Sequence, residues 1–130
     1  MKTTIKPTTK RELAEIIERT IEKEGNNCNL NFIDTSNIED MSYLFANSRF
    51  NGNIADWDVS DVKDMYGMFE SSEFNGDISK WDVSNVKDMA GMFYCSDFNG
   101  DISNWDVSNV ENMSYAFSEC PLEENPPKWY

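Results

Sequence analysis

The hydrophobic pattern of this chain changes order once, near residue 30. Before it, Leu13, Ile16, Ile17 and Ile21 recur at three- and four-residue steps. That spacing lines one face of an amphipathic helix. Thr9 with Glu12 reads as a capping box at the helix start, and Gly25 as its stop. After it, Trp57, Trp81 and Trp105 stand 24 residues apart, and residues 54–77 and 78–101 agree at 17 of 24 positions. Residues 102–122 continue the unit, and residues 30–53 open it in a more diverged form. A period of this length signals stacked supersecondary units that share one core.

Each apolar phase repeats from copy to copy. Met41, Met65, Met89 and Met113 share one phase, Phe45, Phe69, Phe93 and Phe117 a second, and Ile38, Val62, Val86 and Val110 a third. No single copy could bury these side chains alone, so they are expected to stack into columns. Within a copy, Trp81-Asp82-Val83-Ser84 alternates apolar and polar, which predicts a short strand. Val86, Met89 and Phe93 then recur at three- and four-residue spacing, which predicts one or two helical turns, with Asn85 and Asp88 as a cap. Asn51-Gly52, Asn75-Gly76 and Asn99-Gly100 supply return turns. The predicted fold is therefore α/β: a leucine-rich-repeat-like right-handed solenoid of about four coils, with short parallel strands and an N-terminal capping helix. Residues 1–27 form that cap, 28–122 the repeats, and 123–130 a C-terminal cap, all in one structural domain. Pro121, Pro126 and Pro127 stop the repeat, and Trp129 and Tyr130 are expected to fold over the last coil.

Charge narrows the partners. The formal net charge is −13 and histidine is absent. Phosphates must be neutralised by Lys and Arg, so nucleic acid is disfavoured, as are anionic membrane surfaces. No apolar run reaches the ~20 residues that span a bilayer, so no membrane insertion is expected. Met1-Lys2-Thr3-Thr4-Ile5-Lys6-Pro7 shows no signal-peptide core. Cys28, Cys95 and Cys120 fit neither a disulfide framework nor a zinc pattern, and pairing of Cys95 with Cys120 stays open.

Catalysis is not expected. Without histidine there is no imidazole base, metal ligand or Ser–His or Cys–His pair, and no glycine-rich phosphate loop is present. No cofactor is expected. Asp34, Asp58, Asp82 and Asp106 share one phase, and Asp40, Asp64 and Asp88 another. Two readings of these columns stand: acceptors for backbone amides in turns, or ligands of a bound cation such as Ca²⁺. The phases that differ between copies are expected to face solvent and carry recognition. Ser42, Tyr66, Ala90 and Ser114 form one, Ala46, Glu70, Tyr94 and Ser118 another, and Ala55, Ser79 and Ser103, next to Asp56, Lys80 and Asn104, a third. Tyrosine combines large contact area with a polar tip, so Tyr66 and Tyr94, with Glu70 and Lys80, are the candidate binding residues.

The segment Phe74-Asn75-Gly76-Asp77-Ile78-Ser79-Lys80-Trp81-Asp82-Val83-Ser84-Asn85-Val86, continued through Asp88-Met89 to Met92-Phe93, resembles the repeat of BspA-like leucine-rich-repeat surface proteins. The same repeat is known from mycoplasma-type lipoproteins. The resemblance covers roughly residues 28–122, and the lead-in Asn26-Asn27-Cys28-Asn29-Leu30-Asn31 is similar to the family's entry. It implies a bacterial surface or secreted protein, with adhesion to a host or cell-surface protein, and it brings no catalytic residues. The function expected is a non-catalytic protein-binding or adhesion module, acting as a monomer. A calcium-dependent binding module and a small intracellular scaffold, hence a cytoplasmic location, are the alternatives.

Overall fold

The structure is a computed structural model that describes residues 3–130. Met1 and Lys2, where the reading of the N-terminus began, lie outside the described residues. Helix α1 spans Lys10–Glu24. Thr9 caps it by accepting the Glu12 amide at 3.1 Å. At the other end Gly25 takes φ 91° and donates its amide to Ile21 O at 2.7 Å. Leu13, Ile16 and Ile17 are buried in the same core as the repeats. Lys10 ties the helix start to the first copy, donating from Nζ to Ser42 O at 3.2 Å and Ser42 Oγ at 2.9 Å.

The α/β expectation is overturned. Among the described residues the only helical elements are α1 and a short 3₁₀ turn, Pro121–Glu123, and there is no strand. Parallel pairing is confined to isolated single-residue bridges such as Asp40 to Asp64, Asp64 to Asp88 and Asp88 to Asn112. A four-coil leucine-rich-repeat-like right-handed solenoid with short parallel strands does not form.

What replaces strand and helix is a run of turns. The Trp81 amide closes on Ile78 O at 3.2 Å, and the Val86 amide on Val83 O at 3.0 Å. Both are bonds across three residues, as in β-turns. The apolar–polar alternation thus arises because consecutive turns point Ile78, Trp81, Val83 and Val86 inward. The stretch read as helical is also turns: Met92, Tyr94 and Ser96 donate to Met89 O, Gly91 O and Phe93 O at 3.1–3.2 Å. Gly91 and Cys95 take left-handed backbone, φ 61° and 57°, which an α-helix cannot contain. The intervening amides leave the copy altogether. Met89, Gly91, Phe93 and Cys95 donate to Asn112 O, Ser114 O, Ala116 O and Ser118 O at 2.8–3.0 Å. Turns and stacking therefore divide the amides between them, which satisfies the backbone without a sheet. Asn85 caps nothing; its Nδ2 donates to Ser60 O of the preceding copy at 2.7 Å.

The aromatic columns do stack. Trp57, Trp81 and Trp105 lie nearly parallel with ring centroids 6.4 and 6.5 Å apart. Phe45, Phe69, Phe93 and Phe117 follow at 5.6–5.9 Å, and Phe50, Phe74 and Phe98 at 6.0 and 6.3 Å. Each indole Nε1 donates to a carbonyl one copy earlier: Trp57 to Leu30 O, Trp81 to Ile54 O, Trp105 to Ile78 O, all at 2.9–3.1 Å. Trp129 takes the next place, 6.5 Å from Trp105 and bonded to Ile102 O at 2.8 Å. Tyr130 packs edge-on against Phe117 at 4.9 Å. Pro121 stands in the phase where Glu73 and Asp97 donate to Ser48 O and Ser72 O. Proline has no amide hydrogen, so that bond ends with it.

The Asn-Gly pairs have a different cause from the one expected. A Cβ on Gly52 would lie 1.9 Å from Cys28 O, and one on Gly100 would lie 2.6 Å from Phe98 Cζ. Gly52 admits the close approach of the Cys28 carbonyl, and Gly100 that of the Phe98 ring.

Candidate functional site

The aspartate columns are engaged by the chain itself. Asp58, Asp82 and Asp106 accept the amides of Ser60, Ser84 and Ser108 at 3.0 Å. Asp40, Asp64 and Asp88 accept those of Ser42, Tyr66 and Ala90 at 2.8–2.9 Å, and Asn112 does the same for Ser114 at 3.0 Å. An amide side chain can thus replace the carboxylate, which marks the role as turn-forming. Ser84 and Ser108 hydroxyls add bonds of 2.6 Å to Asp82 and Asp106. Those hydroxyl bonds first, then the amide bonds, hold both carboxyls below their ordinary range. Among the described residues no group of three or more His, Cys, Asp or Glu side chains is placed to hold a metal ion. Cys95 and Cys120 do not pair: Cys120 is buried and Cys95 is exposed.

The recognition phases gather on one face. A groove of about 360 Å³ runs across the last three copies. It is lined by Tyr66 and Glu70 of one copy, Ala90, Gly91 and Tyr94 of the next, and Asn112, Ser114 and Tyr115 of the last. Three of the four candidate residues therefore meet: Tyr66, Glu70 and Tyr94. Lys80 does not join them. It lies exposed on the turn Ile78–Trp81, near Asp77. Ala90, expected to face solvent, is buried.

Sequence reasoning missed the phase that shapes this groove. Tyr43, Gly67, Gly91 and Tyr115 share it, and all four take φ between 58° and 61°. Left-handed backbone costs a non-glycine residue roughly 1–2 kcal/mol, so the two glycines are unstrained and the two tyrosines are not. Tyr43 lies over Gly67: a Cβ there would meet its ring at 2.6 Å. It also packs edge-on against Tyr66, with centroids 5.2 Å apart. The neighbouring Tyr66 hydroxyl, foremost among several causes, raises the Tyr43 pKa above the ordinary tyrosine value. Over Gly91 nothing comparable lies; a Cβ there would meet only Tyr94 Cβ, at 3.9 Å. The signal was legible as Tyr-Gly-Gly-Tyr at one phase, but it reads as a turn position until the backbone is seen.

Tyr115 is the most exposed large apolar side chain of the described residues, at 71%, with Tyr43, Tyr66 and Tyr94 at 50%, 39% and 36%. Four exposed phenol rings on one face exceed what scattered surface residues present. Among the described residues no helix is long and apolar enough to cross a membrane.

Comparison with known proteins places residues 13–129 under the model of DUF285, described as a Mycoplasma protein of unknown function. The match lends no support to the BspA-like leucine-rich-repeat assignment that residues 74–93 carried. No curated protein and no solved structure matches the chain.

Proposed function

The chain belongs to the DUF285 family, and we propose that it is a non-catalytic protein-binding module whose contact surface is the tyrosine groove. The observation that carries this reading is Tyr115. It holds a bulky side chain on left-handed backbone, φ 61°, yet leaves that side chain 71% exposed. The left-handed backbone belongs to the repeat turn, since Asn47, Ser71, Cys95 and Glu119 share it at the next phase; what sets Tyr115 apart is a large ring left open to solvent beside the groove. A glycine serves the same phase in two of the other copies. Tyrosine is a frequent interface anchor because its ring buries large area while its hydroxyl keeps a hydrogen bond. Tyr66, Tyr94 and Glu70 complete the contact face, and the groove offers no imidazole or buried acid–base pair for chemistry.

The test is differential capture. The wild-type protein and the double variant Tyr66→Ala, Tyr94→Ala are used as baits in source-cell and host-surface extracts. A protein held by the wild type and lost by the folded variant is then purified and titrated. The reading expects its affinity to fall at least tenfold, about 1.4 kcal/mol. Retention of every captured protein by the variant refutes it.

A further inference from the structure

The groove says more about its occupant than that it is a protein. The repeat presents the same surface at two levels, and at the lower one the chain fills it. Over Gly67 lies the flat ring of Tyr43, edge-on to Tyr66, with the Glu70 carboxylate alongside at 3.1 Å from where a Cβ would stand. One copy further, Gly91 repeats the floor with the same left-handed φ, but the residue in the place of Tyr43 is Gly67 itself. The side chain that would cover the floor is therefore missing from the sequence. Gly67 is buried while Gly91 is partly open. Tyr66, Tyr94 and Tyr115 stand around this second floor, with Glu70 at its rim.

A group that fits over Gly91 as Tyr43 fits over Gly67 is planar and about one ring wide. Charge selects among planar groups. Residues 102–124 carry Asp106, Glu111, Glu119, Glu123 and Glu124 and no Lys or Arg, and the chain carries −13 overall. Glu70 is the one ionised side chain lining the groove. Resting on the protein-binding reading above, we propose that the surface over Gly91 receives an arginine side chain of the partner. Its guanidinium plane lies against the tyrosine rings and its N–H groups meet the Glu70 carboxylate. Guanidinium is flat, permanently charged and weakly hydrated, so it stacks flat on aromatic faces more readily than the strongly hydrated ammonium.

The experiment uses the full chain and three blocked tripeptides, acetyl-Gly-Arg-Gly-amide and its Lys and citrulline counterparts, titrated while backbone and tyrosine-ring NMR signals are followed. Citrulline keeps the plane and removes the charge; lysine keeps the charge and removes the plane. The proposal expects the Arg peptide to shift the Gly91 amide and the rings of Tyr66, Tyr94 and Tyr115 saturably, at least tenfold more tightly than either counterpart. Glu70→Gln is expected to weaken the Arg peptide about tenfold while leaving the fold unchanged. Failure of the Arg peptide to shift these signals overturns the proposal, as does equal binding of the three peptides or indifference to Glu70→Gln. If the Tyr66→Ala, Tyr94→Ala variant still loses its protein partner in that event, the groove stands as a protein contact and only the arginine assignment falls.

Discussion

Replacing Phe93 with alanine measures what one place in a column is worth. Its side chain is 1% exposed. Its ring lies between Phe69 at 5.6 Å and Phe117 at 5.9 Å along the column, and against Phe98 at 4.4 Å and Trp105 at 6.4 Å across it. Truncating a buried Phe costs about 3–5 kcal/mol in lost transfer energy and cavity. Ring pairs add roughly 0.5–1.5 kcal/mol each beyond burial, and four are lost, so Phe93→Ala belongs at the upper end, about 4–5 kcal/mol. The neighbours cannot close the gap, because each is pinned by its own place in a column. Phe117→Ala is expected to cost less, nearer 3 kcal/mol, because only Phe93 stacks on it along the column, while Trp129 packs tilted and Tyr130 edge-on. Guanidinium denaturation followed by tryptophan fluorescence reads both, with the slope of each transition checked against wild type. A halved slope would mean that the stack separates at the lesion and unfolds in parts. A Phe93→Ala loss below ~1 kcal/mol, or one smaller than that of Phe117→Ala, would show that the columns are not what holds the copies together.

Two further outcomes follow from the backbone and the turns. Gly91→Ala has room for its methyl group but a φ of 61°, so it is expected to cost about 1–2 kcal/mol. Gly91→Asn should recover most of this, since Asn47 holds φ 59°. Gly100→Ala meets the Phe98 ring at 2.6 Å on ordinary backbone, so neither Ala nor Asn is tolerated there; a Gly100→Asn as stable as wild type in thermal melts contradicts the close-packing account. Asp77, Asp82, Asp101 and Asp106 have carboxyl pKa values below the ordinary 3.8 because serine hydroxyls and then serine amides bond the charged form. Groups depressed in the native state stabilise it above the unfolded value and lose that contribution as pH falls through the native one. The urea midpoint should therefore decline below pH ~4, less steeply in Ser84→Ala, Ser108→Ala, and a midpoint that rises steadily down to pH 2 would contradict the assignment.

Much of the core was legible because columns leave a direct trace. The helix face of Leu13, Ile16 and Ile17, the Thr9 cap and the tryptophan and phenylalanine columns all follow from periodicity alone. The class did not, and the reason is physical. A three- or four-residue apolar step describes an α-helix, but it equally describes consecutive turns with a left-handed residue inserted at every fourth place, as at Gly91 and Cys95. Alternation in Trp81-Asp82-Val83-Ser84 describes a strand, but also two turns joined by an aspartate that accepts the Ser84 amide. Sequence periodicity counts side chains facing inward and is silent on which amide bonds where. The candidate site divides in the same way. Tyr66, Glu70 and Tyr94 came from phases that vary between copies. Lys80 came from a variable phase too, but on a turn at another face. Tyr115 and Gly91, which shape the groove, share a phase that varies as Tyr-Gly-Gly-Tyr and was not singled out.

The division of amides into those that close a turn and those that reach the next copy gives the chain a parity. From Met89 to Ser96 the role alternates residue by residue, with Met89, Gly91, Phe93 and Cys95 reaching outward and Met92, Tyr94 and Ser96 turning back. A single residue inserted within this stretch would hand the amides after it, as far as Ser96, the opposite role and rotate their inward side chains away from the columns. Two would restore the alternation yet still displace the rings. Only a whole copy returns both bookkeeping systems to register, so the molecule can lengthen or shorten by 24 residues far more readily than by one.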